Sequence, residues 1–233
     1  MEKTFKIGVV VADNDEYAPI VEYAKENGGK EKALKFFVGH EIPFGKAVIR
    51  SVLCGIGKVN AAVATTLLIE EGVDILVNFG LSGGINGVSR GETVVATRFL
   101  EHDFDLTPLG YKVAEKPNQT YIYDANAKLI SLFTNAYNGI KTGTVVTGDS
   151  FVCDPKVRDM LRDNFDAIAC DMETAAIAYP ATSSGVPFVS VRRVSDDAGE
   201  SATSDYREMN SLADSSLMKI VFDALKPLNY AEF

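Results

Sequence analysis

The sequence predicts an α/β fold built on a central mixed sheet, and three observations carry that prediction. Apolar runs of strand length alternate with helix-like segments along the whole chain. Several of these runs, such as Lys6-Ile-Gly-Val-Val-Val-Ala12, are continuously apolar rather than alternating, the mark of strands buried on both faces. The first half is also rich in strand-like sequence and includes a hairpin-like pair, which makes the sheet mixed rather than purely parallel. No linker, internal repeat or low-complexity tract interrupts the 233 residues, so residues 1–233 read as one domain.

The elements follow in order. After the first strand, Asp13-Asn-Asp-Glu16 supplies N-cap candidates for a helix through about Glu26, with Pro19 tolerated in its first turn. Leu34 to Val38 and Ala47 to Leu53 read as the hairpin-like pair, turning around Pro43-Phe-Gly45. Gly55-Ile-Gly57 opens a small-residue helix that runs to about Gly72. Asp74 to Phe79 is a buried strand ending in Gly80-Leu-Ser-Gly-Gly84, read as a flexible turn with backbone amides available to a ligand. Glu92 to Phe99 is a strand, His102 to Tyr123 a polar stretch of little periodicity, and Thr144 to Thr147 a strand leading into Gly148-Asp-Ser-Phe151. Asp154-Pro155 caps a helix to roughly Asn164. A strand–helix–strand unit from Ala169 to Asp196 completes the sheet, and Met209 to Leu225 reads as one closing amphipathic helix.

Composition excludes several classes. A net charge of −9 argues against nucleic acid and against an anionic membrane surface. No apolar run reaches the roughly 18 residues that span a bilayer, and Met1-Glu-Lys-Thr-Phe5 does not read as a leader. Cys54, Cys153 and Cys170 are widely spaced, with no Cys-x-x-Cys, and His40 and His102 lie far apart. A zinc site is therefore not expected, and reduced thiols in a cytoplasm are. Cys153 reads as a bystander near the candidate site. No cofactor is expected: Gly55-Ile-Gly57 is half a dinucleotide fingerprint without its third glycine or its acidic residue, and no P-loop occurs. Ser82 lies in Leu-Ser-Gly-Gly rather than the Gly-x-Ser-x-Gly of a serine hydrolase.

The informative segment is Ala169-Cys-Asp-Met-Glu-Thr-Ala-Ala-Ile-Ala178 followed by Val186-Pro-Phe-Val-Ser-Val-Arg-Arg-Val-Ser-Asp196. Its charges fall at the carboxyl ends of strands, where open α/β sheets bind ligands, and burying them there costs desolvation energy that asks for a reason. Glu173, Arg192 and Asp196 are placed to converge on one polar, uncharged ligand, and Glu16 follows the end of another strand. Each carboxylate also has a structural reading: Glu16 as a helix-dipole acid, Asp196 as a cap, Glu173 as a first-turn acid.

Taken together, the order of motifs resembles the purine nucleoside phosphorylase/uridine phosphorylase superfamily. More closely it is similar to the hydrolytic branch, the 5′-methylthioadenosine/S-adenosylhomocysteine nucleosidases. The matching pieces are Lys6-Ile-Gly8, Gly55 to Asn60, Asn78 to Gly84, His102-Asp103, Thr147 to Val152, Asp171 to Ala176, Pro187 to Asp196 and Ser215 to Met218, collinear over nearly the whole chain. The resemblance implies a three-layer αβα domain with a partly barrel-like sheet, a small nucleoside as partner, and a homodimer, for which the helix from Val59 to Leu68 offers a face. It implies that Asp196 protonates purine N7, Glu16 activates water, Glu173 holds the ribose hydroxyls and Met172 lies under the sugar. It further implies that Phe151 stacks on the base, the Val152 backbone reads the purine edge, and Arg192 positions water or sugar. Ser195, Ser82 and Gly83 complete the expected substrate-binding set. Leu81, Thr174, Asp13, Asn14 and Arg193 depart from the family's pattern, around the water and sugar subsites.

Breaking an N-glycosidic bond leaves an oxocarbenium-like sugar and an anionic base, so it needs an acid at the purine and a nucleophile on the other face. Water needs a base, which Glu16 supplies; phosphate needs cations, and before Arg90 the only arginine is Arg50, placed inside a strand. Hydrolysis is thus favoured over phosphorolysis. A phosphate-dependent phosphorylase and a non-catalytic nucleoside-binding protein stay open as alternatives.

Overall fold

The structure is a computed structural model that describes residues 4–212, 215–228 and 230–233. Residues 1–3 of the segment judged not to be a leader lie outside the described residues. β1 (Phe5–Val11) is buried from Ile7 onward and leads into α1 (Asn14–Glu26). The Asp13 carboxylate accepts the Asp15 N–H at 2.8 Å and caps that helix. Pro19 falls in its second turn rather than its first, at a buried position where it cannot donate to the Asp15 carbonyl.

Two short corrections follow in the hairpin. β2 (Lys30–Glu31), β3 (Val38–Phe44) and β4 (Ala47–Leu53) form an antiparallel edge. The strand expected over 34–38 starts only at Val38, because Leu34 and Phe37 bond each other across a turn in which Lys35 adopts φ 56°. Pro43 sits inside β3 opposite Val48, beyond the reach of two-residue β2, an edge position that tolerates a missing N–H.

α2 (Lys58–Glu70) starts after Gly57, whose φ of 99° is a left-handed conformation that favours glycine. β5 (Ile75–Gly84) is longer than expected. Gly80 to Gly84 is not a flexible turn but the second half of this strand, hydrogen-bonded to β10 and β9 below. β6 (Thr93–Glu101) and β7 (Ile122–Asp124) pair antiparallel. α3 (Ala127–Ala136) was not expected from the sequence; the Asn126 side chain caps it by accepting from the Lys128 and Leu129 N–H groups. β8 (Lys141–Thr147), α4 (Pro155–Phe165, capped by Asp154), β9 (Ala167–Asp171), α5 (Thr174–Ser183) and β10 (Phe188–Asp196) follow. The single closing helix expected from Met209 to Leu225 is two helices, α6 (Ala202–Ser211) and α7 (Ser216–Leu225); residues 213 and 214, within that expected span, lie outside the described residues.

The sheet is mixed and partly closed. Its order is β10-β6-β8-β9-β5-β1-β4-β3-β2, and β10 also pairs with β5, so β5, β10, β6, β8 and β9 form a ring. β5 closes it by changing partners along its length. Ile75 to Asn78 pair with β1, whereas Gly83 and Gly84 lie opposite Cys170 and Ala169 of β9. β9 and β10 are therefore not paired with each other, despite being joined by one helix. Their carboxyl ends converge because the β5–β9 contact is antiparallel and closes the ring, not because the strands lie parallel side by side.

Helices cover both faces of this sheet. α1, α3 and α7 bury Ile20, Phe133 and Phe222 on one side, and α2 and α5 bury Leu68, Ala64 and Ile177 on the other. The small residues of α2 and α5 let the second layer sit close to the strands.

Candidate active site

At the converging strand ends lies a cavity of about 320 Å³. Glu16, Ser82, Gly83, Phe151, Val152, Met172, Glu173, Arg192, Ser195 and Asp196 all line it. These residues come from elements up to 180 positions apart, so their meeting is a property of the ring.

Glu16 projects from the first turn of α1, and its Oε1 accepts the Leu81 N–H at 2.6 Å. Room for that contact comes from Gly80: a Cβ there would lie 2.8 Å from Glu16 Oε2 and 2.9 Å from Arg192 Nη1. The glycines of β5 thus serve close approach rather than turning. Burial pushes the Glu16 carboxyl up to about 7, against the opposing pull of the Leu81 N–H and of Arg192.

Arg192 is 2 % exposed and is held by a polar network. Its Nη2 pairs with Asp171 Oδ2 at 2.6 Å and donates to Asn78 Oδ1 at 2.5 Å and Thr174 Oγ1 at 2.7 Å. Its Nη1 donates to the Leu81 carbonyl at 3.3 Å. Asp171 in turn accepts from Thr147 Oγ1 at 2.6 Å and from Thr174 Oγ1. Thr174, a departure from the family's pattern, therefore has a place: its hydroxyl joins Asp171, Asn78, Ser190 and Arg192. A buried guanidinium needs such partners to offset its desolvation.

Glu173 sits at the N-cap of α5, and its Oε1 accepts the Gly57 N–H at 2.9 Å. The weak Gly55-Ile-Gly57 motif thus acts by delivering a backbone N–H to a carboxylate. Arg192 stands 3.8 Å from Glu173 Oε2, and burial raises the Glu173 carboxyl to about 7. Asp196, on the last position of β10, accepts from Ser195 Oγ at 2.7 Å and from the Ala198 N–H at 2.9 Å. Burial raises its carboxyl as well. Three carboxyls biased toward the protonated form in one cavity are suited to proton transfer near neutral pH.

One wall is aromatic: Phe151 and Tyr206 of α6 meet edge to face at 5.4 Å. The sequence reading missed Tyr206 and Asp171. Asp171 had a signal, an acid two residues before Glu173; Tyr206 had none, because nothing local ties α6 to the site. Cys153 is exposed and lies off the cavity wall, whereas Cys170 lines it as a thiol that burial keeps protonated. Arg50 is spent elsewhere, in a two-point pair with Glu71 at 2.6 and 3.0 Å. Among the described residues no group of three or more His, Cys, Asp or Glu side chains is placed to hold a metal ion.

A profile described as the phosphorylase superfamily matches residues 6–226. A 5′-methylthioadenosine/S-adenosylhomocysteine nucleosidase of Exiguobacterium sp. is 36% identical over 97% of this chain and 100% of its own. The nucleosidase of that name from Neisseria meningitidis, solved with methylthio-immucillin-A, superposes with a TM-score of 0.86 at 32% identity, covering 96% of this chain and 99% of that one. An S-adenosylhomocysteine nucleosidase from Streptococcus pyogenes, solved with 5-methylthiotubericidin, gives 0.89 at 28% identity over 98% and 99%.

Proposed function

This chain belongs to the phosphorylase superfamily, and we propose that it is a purine nucleosidase that hydrolyses 5′-methylthioadenosine and S-adenosylhomocysteine, releasing adenine. The observation that carries this reading is the pairing of Glu16 and Asp196 in one cavity, each with a raised carboxyl and each fixed by backbone N–H donors. The purine lies against Phe151 and Val152, with N7 toward Asp196. Glu173 accepts the ribose hydroxyls, and Met172 packs under the sugar. As the glycosidic bond breaks, Asp196 delivers its proton to N7 and the purine leaves neutral. Glu16, ionised and held by Leu81, takes a proton from the water that attacks the anomeric carbon. Arg192 stabilises the ionised Glu16 and steers the water.

Phosphorolysis is disfavoured by the same charges. Arg192 is already paired with Asp171, and a phosphate dianion in its reach faces Glu16 and Glu173. Purified protein incubated with 5′-methylthioadenosine in phosphate-free buffer is expected to release adenine at its full rate. Turnover that requires phosphate and yields a sugar phosphate would establish the phosphorylase reading instead.

A homodimer fits the surface. Ile56, Val59 and Val63 form an apolar patch at the start of α2, with Val59 75 % exposed. Light scattering at micromolar concentration is expected to give twice the chain mass, and Val59→Glu with Val63→Glu to shift it toward the monomer. A wild-type monomer mass would remove this assignment. No helix among the described residues is long and apolar enough to cross a membrane, and the three cysteines are unpaired, in keeping with a reducing cytoplasm.

A further inference from the structure

Lys58, Asp103 and Asp149 do not line the nucleoside cavity, yet they are bonded to one another in a closed ring. Asp149 Oδ1 accepts the Lys58 N–H at 2.8 Å. The Asp149 N–H donates to Asp103 Oδ2 at 2.8 Å, and Lys58 Nζ donates to Asp103 Oδ1 at 2.6 Å. The three come from the start of α2, the chain just past β6 and the loop after β8. Lys58 Nζ also donates to Glu101 Oε2 at 3.0 Å, and Glu101 pairs with Lys116, so the ring is tied to the end of β6.

Each side of this ring carries part of the site. α2 has no acid in its first turn, and its N-cap, Gly57, has no side chain to cap with. Two successive N–H groups at its N-terminus are met instead by distant carboxylates: Gly57 by Glu173 at 2.9 Å, and Lys58 by Asp149. Gly57 leaves room for the second, since a Cβ there would lie 3.1 Å from Asp149 Oδ1. Asp149 stands two residues before Phe151 and three before Val152, both on the cavity wall. Residues 149–151 are exposed, so apart from the ring contact of Phe151 with Tyr206 their place is set by hydrogen bonds rather than by packing. The loop starts directly against the buried His102 imidazole, which a Cβ at Gly148 would overlap.

We propose that Lys58, Asp103 and Asp149 are positioning residues that fix the distance between the purine-stacking loop and the ribose carboxylate. The proposal rests on the reading that Phe151 holds the base and Glu173 the sugar. Every bond in the ring has an ionised acceptor, and two of them run to backbone N–H groups, so the link is strong and short. A nucleoside engages both ends at once, and its affinity gains from a fixed spacing between them, as for any two joined binding groups. Free purine engages only the loop side and gains nothing from the link to Glu173. None of the three residues needs to touch the ligand to have this effect.

The test measures, by calorimetry, affinity for adenine and for a non-hydrolysable adenine nucleoside analogue. In Asp149→Ala the analogue is expected to bind about 10-fold more weakly, whereas adenine affinity stays within about threefold. Asp149→Asn, whose Oδ1 still accepts the Lys58 N–H, is expected to restore the analogue's affinity, because asparagine caps helices as well as aspartate does. Lys58→Met keeps the backbone N–H but breaks the link to Asp103. It is expected to weaken the analogue severalfold in the same way, and it supplies the measurement if Asp149→Ala does not fold. Equal weakening of adenine and analogue would mean that the loop alone is damaged and overturns the spacing role, as does wild-type affinity for both. Every readout is binding, so absent turnover counts against the hydrolytic reading only. A wild type that binds neither compound removes the nucleoside site and this proposal with it.

Discussion

Asp196→Asn is expected to lower kcat by about 10²–10⁴-fold while purine-site affinity stays close to wild type, the loss typical of removing a general acid. The geometry makes this a clean substitution. Asparagine keeps an oxygen to accept the Ala198 N–H, now 2.9 Å from Asp196 Oδ1. Its amide then donates to Ser195 Oγ, which turns its proton to the Ser82 carbonyl, already within reach at 3.1 Å. Only the proton for N7 is lost. Steady-state kinetics and calorimetry with a non-hydrolysable nucleoside analogue read the two halves separately. Near wild-type kcat in a folded Asp196→Asn protein would take the acid's role away from this residue.

Glu16→Gln is expected to abolish hydrolysis to a similar degree, again with binding retained. The amide still accepts the Leu81 N–H but takes no proton from water, so the transition state suffers and the ground state does not. The alternative, that Glu16 merely favours the N-terminus of α1, predicts unchanged kcat and a slightly lower melting temperature. Stability against pH separates the two further. The Glu16 carboxyl is raised from 4.5 to about 7 in the folded chain, so the folded state holds the proton more tightly than the unfolded one. Its contribution to stability is then fully present below pH 4.5 and is lost as the pH rises through 7, by an amount on the order of 3 kcal/mol. Glu16→Gln removes that loss: its melting temperature relative to wild type is expected to rise from pH 4.5 to pH 7.5. A constant difference across that range would mean that Glu16 is not held in a desolvated state.

Local signals in the chain were read correctly where the physics is local. The caps at Asp13 and Asp154 work through N–H groups two residues away, and the buried strands announce themselves by unbroken β-branched runs. Reading failed where the cause lay far off. Gly80 to Gly84 resembles a turn to any local rule, yet it is strand, because β10 and β9 pair along it, and Gly80 leaves the space that Glu16 and Arg192 fill. The hairpin strand began four residues late because Leu34 and Phe37 found each other first. α3 carries an ordinary local signal, the Asn126 cap at its first turn.

By itself the sequence determined the α/β class, most elements, and the set of polar residues at strand ends, since periodicity and capping act within a turn or two of chain. Only the tertiary structure decided how those ends meet. The ring closes through β5, which exchanges β1 for β9 along its length, and through β10, which pairs with β5 across more than a hundred residues. Such pairings join segments far apart in the chain, and no segment carries that information alone. The same closure buries Arg192 among Asp171, Thr174 and Asn78, and lifts the Glu16 and Glu173 carboxyls to about 7. Desolvation belongs to the assembled cavity, so the acidity of its carboxyls was written only in the fold.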